Sequence, residues 1–173
     1  MEMDKEKELP KRKELRLKHY NYSSAGAYFV TLCTQDRRKI LSRIVGVDVL
    51  GDPKNVELLP HGIVADKYIN KMSDFYQGIT VEKYVIMPNH IHILLSVRND
   101  GSPRTSTPTR QTSSVSHFVS TFKRFCNKEY GGNIWQRGFY DHVIRGREDY
   151  EEIVKYIHEN PMRWWYDELY TEE

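Results

Sequence analysis

Apolar positions along the chain recur at two periods, one of two residues and one near 3.6, and together they lay out its elements. Residues 27–34 (Ala-Tyr-Phe-Val-Thr-Leu-Cys-Thr) are rich in β-branched and aromatic side chains and follow a Ser-Ser-Ala-Gly turn signal, which predicts a strand. Arg37, Arg38 and Lys39 break it. Two short apolar stretches, 40–50 and 56–59, flank Gly51-Asp52-Pro53 and predict a hairpin-like excursion. Ile63, Val64, Tyr68, Ile69 and Met72 fall at helical spacing within a predicted helix over 61–75. Residues 79–87 and 90–97 form the strongest strand pair, divided by Pro88-Asn89, where proline cannot donate to a ladder.

Residues 99–114 are poor in apolar side chains and hold Gly101, Pro103 and Pro108 among serines and threonines, which predicts a connection. Helical spacing returns over 116–130 through Phe118, Val119, Phe122 and Phe125, with Gly131-Gly132 as the stop. A short strand over 139–144 and a helix over 148–160, ended by Pro161, complete the pattern. The order strand, helix, strand, strand, helix, strand, helix suits an α+β fold. The expected form is a ferredoxin-like antiparallel sheet with helices mainly on one face, plus a C-terminal helix. The expected organisation is a basic arm over 1–19, a single domain over 20–167 and an acidic tail over 168–173.

Composition changes this picture little. With 39% hydrophobic and 29% charged residues the chain is far from a disordered composition, so a packed core is expected. A net charge of +2 does not single out a nucleic-acid binder, but the distribution is uneven. Arg12, Lys13 and Arg16 lie in the basic arm, a candidate phosphate contact, while acids gather near the C-terminus. Cys33 and Cys126 have neither metal-site spacing nor a disulfide pattern. Residues 1–20 are charged throughout, unlike a signal peptide, and no apolar run approaches the ~18 residues of a membrane span. A cytoplasmic setting without membrane association is the expectation.

Candidate chemistry lies in two places. In His90-Ile91-His92, strand alternation puts His90, His92, Leu94 and Ser96 on one face and Ile91, Ile93, Leu95 and Val97 on the other. The apolar set should face the helices. The two imidazoles share the opposite face, either as ligands converging on one metal ion or as polar groups on a solvated surface. Over 148–160 a wheel of ~100° per residue groups Ile153, Ile157, Tyr150 and Val154 in a stripe, with Tyr156 and Asn160 together just outside its border. Spacing alone leaves Tyr156 either a reactive phenol or an ordinary boundary tyrosine.

The segment Tyr84-Val-Ile-Met-Pro-Asn-His-Ile-His92 resembles the signature of the HUH single-tyrosine transposases. The opening Gly26-Ala-Tyr-Phe-Val-Thr-Leu-Cys-Thr-Gln-Asp-Arg37, the stretch Ile134-Trp-Gln-Arg-Gly-Phe-Tyr-Asp-His-Val-Ile-Arg145 and Tyr156-Ile-His-Glu-Asn-Pro161 resemble the REP-associated tyrosine transposase branch of that family. The resemblance runs from about residue 20 to about residue 167. It implies a DNA endonuclease that uses Mg²⁺ or Mn²⁺ and no small-molecule cofactor, acting on single-stranded or hairpin DNA as a monomer or homodimer. His90 and His92 would be metal ligands and Tyr156 the nucleophile, forming a 5′-phosphotyrosine link. Asn160 stands where insertion-sequence relatives carry a glutamine as third ligand. His158 points roughly 160° from Tyr156 on the wheel and is set aside.

Further DNA contacts are expected from Arg37, Arg38 and Lys39 after the first strand and from Lys123 and Arg124 on the second long helix. Trp135, Trp164 and Trp165 are candidates for stacking on unpaired bases, with at least one destined for the core. Two other readings compete. One is a binder of hairpin DNA or RNA on the same fold without turnover. The other is an RRM-like module, which would carry aromatics on its central strands where this chain has histidines.

Overall fold

The computed structural model describes residues 24–47, 53–76, 78–98 and 114–171. Its elements are β1 (Gly26–Cys33), β2 (Ser42–Val47), β3 (Pro53–Leu58), α1 (Pro60–Phe75), β4 (Ile79–Ile86), β5 (His90–Val97), α2 (Ser114–Tyr130), β6 (Tyr140–Val143) and α3 (Arg147–Glu159). Short 3₁₀ turns follow β1 (Gln35–Arg37) and α3 (Trp164–Tyr166). The main sheet has the order β4-β5-β1-β6 with every neighbouring pair antiparallel, and β2 and β3 form a separate two-stranded sheet. The expected α+β class and element order therefore hold, including the hairpin excursion and the turn at Pro88-Asn89. Arg12, Lys13, Arg16, the arm and the connection over 99–113 lie outside the described residues.

One face of β5 carries Ile91, Ile93, Leu95 and Val97. It packs against Ala65, Ile69 and Met72 of α1 and Val115, Phe118, Val119 and Phe122 of α2 in a single buried cluster. Burial of such side chains stabilises by ~1.5–3 kcal/mol each, so this face dominates the fold's stability. α1 and α2 also pack on each other. At the start of α1 the chain comes so close to the residue leading into β2 that a Cβ on Gly62 would collide with the Leu41 carbonyl. The Leu59 amide donates to that same carbonyl (2.9 Å), which seats the helix.

α3 lies across the opposite face and touches β4 and β5. It covers what would otherwise be an open sheet surface, so His90 and His92 are buried rather than solvated. Among the described residues no helix is long and apolar enough to cross a membrane.

Candidate active site

β5 starts two residues after Pro88, and its first side chain is held by the turn itself. The Asn89 side-chain amide donates to the Leu169 carbonyl (2.8 Å), so the Asn89 Oδ1 must be the acceptor facing His90 Nδ1 (2.8 Å). His90 is thereby fixed as the Nδ1–H tautomer, with the Nε2 lone pair free. That Nε2 is fully buried and has no hydrogen-bond partner. His92 places Nδ1 2.8 Å from the Thr31 hydroxyl on the neighbouring strand, and the two rings stand 4.5 Å apart, centre to centre. Phe29 stacks on His92 at 5.0 Å and meets the Tyr156 ring edge-on at 5.9 Å, setting both orientations. Burial holds each imidazole's pKa down to about 3, with Arg37 adding to the effect at His90 and His90 at His92, against smaller opposing effects of the adjacent Asn160 side chain at His90 and of Asp167 at His92. Both rings are therefore neutral near pH 7, the state in which imidazole offers a lone pair.

Tyr156 lies in the last turn of α3 and Asn160 caps that helix with helical backbone, so the two stand as i and i+4. The Tyr156 hydroxyl lies 3.4 Å from His92 Nε2 and 3.4 Å from Asp167 Oδ2, two long contacts on a ring that is 39% exposed. Burial and the Asp167 carboxylate push its pKa up to about 12, against the opposing effect of Asn160. Asn160 is buried. Its Nδ2 donates to Asp167 Oδ2 (3.0 Å), and its Oδ1 has no partner. A cleft of about 470 Å³ opens over this cluster, lined by Phe29, Thr31, Arg37, His92, Tyr156 and Asp167 among others.

The donor set suits a divalent cation. Unsatisfied buried polar atoms are costly, and two of them, His90 Nε2 and Asn160 Oδ1, meet here. Ligand atoms of His90, His92 and Asp167 all lie within 4.8 Å of one another. Asp167 was not singled out by the sequence. It has no periodic partner, and its only local signal is a carboxylate able to accept from a backbone amide two residues on, as Oδ1 does from Leu169 (2.7 Å).

The expected DNA contacts separate in space. Arg37, in a turn where both it and Asp36 adopt left-handed backbone (φ 53° and 55°), lines the cleft. Arg38 is exposed and donates Nε–H to the Gln35 carbonyl (3.3 Å), while Lys39 sits over the Tyr170 ring (5.1 Å). Lys123 and Arg124 belong to α2, on the sheet face away from Tyr156. Lys123 donates to the carbonyls of Gln136 (2.7 Å) and Gly138 (2.6 Å), and burial brings its pKa down to about 8. Arg124 is exposed and lies over the Phe125 ring. Of the three tryptophans, Trp135 is in the core and Trp164 is buried beside His90. Only Trp165 is exposed, so the stacking expectation is corrected for the other two.

The family described as "Transposase IS200 like" matches residues 22–160. An uncharacterised protein of Haemophilus influenzae is 28% identical over 176 residues, covering 93% of this chain and 94% of its own. A REP-associated tyrosine transposase of Escherichia coli K12 is 25% identical over 142 residues, covering 82% of this chain and 70% of that one. Among solved structures, a REP-associated tyrosine transposase bound to a REP hairpin aligns with a TM-score of 0.59 at 20% identity, over 88% of this chain and 76% of that chain. That last likeness speaks for the fold. With the match spanning residues 22–160, from before the sheet to the residue that caps α3, the chain belongs to the IS200-like transposase family.

Proposed function

We propose that this chain nicks and rejoins single-stranded or hairpin DNA through Tyr156, with Mg²⁺ or Mn²⁺ held by His90, His92 and Asn160. The observation that carries the reading is the approach of the Tyr156 hydroxyl to His92 Nε2 (3.4 Å), beside two buried lone pairs with no partner. A relative of the same fold is described as bound to a REP hairpin, and the DNA class is carried over from it.

Charge decides why a cation is needed. A phenol with a pKa of about 12 is ionised to only about one part in 100,000 at pH 7. The bound cation would supply positive charge that stabilises phenolate and withdraws charge from a non-bridging phosphate oxygen. Tyr156 then gives its proton to water, and its oxygen bonds to phosphorus as the bond to the 3′-oxygen breaks. That 3′-oxygen takes up a proton and leaves as a free hydroxyl, while the 5′ side stays on the enzyme as phosphotyrosine. Attack by a 3′-hydroxyl on that link reverses the step, so ends can be rejoined without another energy source. Arg37, which lines the cleft, would meet a phosphate in this reading.

The test is incubation with end-labelled single-stranded and hairpin oligonucleotides plus Mn²⁺, followed by a denaturing gel. The reading expects a protein–DNA adduct from the parent chain and none from Tyr156→Phe or His90→Ala. DNA retention on a native gel with no adduct under any metal condition would favour the binder without turnover.

A further inference from the structure

We infer that Asp167 is a fourth, anionic ligand of the same cation and the group that turns the Asn160 oxygen toward it. The inference rests on the cation site proposed above and extends it to a residue beyond the family match, which ends at Asn160.

Three observations carry it. The first is position. The ligand atoms of His90, His92 and Asp167 lie within 4.8 Å of one another. Two donors on one Mg²⁺-sized ion are at most about 4.2 Å apart, twice a bond of ~2.1 Å, so the three groups lie close to the spread that one cation gathers. The second is orientation. Asp167 Oδ1 is tied down by the Leu169 amide (2.7 Å), which leaves Oδ2 facing the Tyr156 hydroxyl and the Asn160 amide. The segment around it is pinned on both sides. Trp164 is buried beside His90 and meets Tyr170 edge-on (5.2 Å), and the Leu169 carbonyl accepts from Asn89 (2.8 Å). Asp167 is therefore held in place from both directions along the chain.

The third is chemical. A carboxylate accepts and does not donate when ionised, so the Asn160 group beside Asp167 Oδ2 must be the NH₂. The Asn160 oxygen is then left on the other side of the amide, buried and without a partner. Without Asp167 the amide would lose the contact that distinguishes its two ends. Charge points the same way. Two neutral imidazoles and an amide bring no negative charge of their own to a dication in a largely buried site, with the Arg37 guanidinium nearby. One carboxylate halves the dication's charge.

The experiment uses the metal-stripped full chain without DNA, titrated with Mn²⁺ while free Mn²⁺ is read by electron paramagnetic resonance. The parent chain should bind one ion, Asp167→Asn should bind it at least tenfold more weakly, and His90→Ala should lose it. A second variant gives a gain of signal. Asp167→Cys loaded with Co²⁺ should show a near-ultraviolet thiolate-to-cobalt charge-transfer band that the parent lacks, although the parent already carries Cys33 and Cys126. Parental Mn²⁺ affinity in Asp167→Asn alongside loss in His90→Ala overturns the inference and leaves the cation site standing. So does a folded Asp167→Cys chain without the band. A parent chain that binds no Mn²⁺ overturns the cation site itself and this inference with it.

Discussion

The two faces of β5 are buried to nearly the same degree, yet they are built on opposite terms. Ile91, Ile93, Leu95 and Val97 enter a continuous apolar cluster, whereas His90 and His92 are buried beside polar atoms, one of them left without a partner. The first face is what a sheet needs in order to fold. The second costs stability, because a buried lone pair without a hydrogen bond has given up water for nothing. Equal burial with unequal satisfaction separates a stabilising surface from a chemical one.

The comparison can be broken most sharply at Tyr156. Tyr156→Phe should eliminate the covalent DNA adduct entirely while shifting the melting temperature little, because the hydroxyl makes only long contacts on a ring 39% exposed. A residual adduct at the parental rate would remove the chemical role from this face. Next in size is a pair of truncations from neighbouring positions. Ile93→Ala should cost about 2–5 kcal/mol in denaturant unfolding. His92→Ala should cost less than Ile93→Ala in the metal-free chain, yet abolish cation-dependent cleavage. If the histidine truncation proved the more destabilising, the polar face would be a packing surface after all.

A subtler probe is Thr31→Val, which removes the hydroxyl 2.8 Å from His92 Nδ1 but keeps its shape. Groups that orient a ligating histidine typically matter by about 10–100-fold in metal affinity, and Mn²⁺ titration should read a loss in that range. Acid stability is a further probe, with an effect that is slight near neutral pH and grows as pH falls. Both imidazoles have folded pKa values near 3, below the ordinary 6.5, so the unfolded chain binds more protons throughout that interval. Stability of the metal-free chain should therefore fall as pH drops below 6.5 and stop responding to these two groups below about 3. Histidine ring signals titrating near pH 6.5 for residues 90 and 92 would contradict the burial on which the comparison rests.

Much of this was legible in the sequence because periodicity carries it. Strand alternation assigned His90 and His92 to one face, and helical spacing paired Tyr156 with Asn160, both as found. The wheel could not reveal how the two elements meet. It left the histidine face open to solvent, whereas α3 and the segment after it close that face. Asp167 escaped notice for a related reason. It follows a 3₁₀ turn rather than a repeating element, and a single acid among several near the C-terminus has no pattern to distinguish it. Lys123 illustrates the converse. Its charge suggested a phosphate contact, but two backbone carbonyls accept from its ammonium, a tertiary arrangement that residue type cannot announce.

The chain has 12 tyrosines, and the account allows only one to carry DNA. Trimming the trapped adduct with nuclease and mapping it by tandem mass spectrometry locates the phosphonucleotide directly. The modification is predicted on the peptide containing Tyr156 alone; its appearance on any other tyrosine would contradict the assignment.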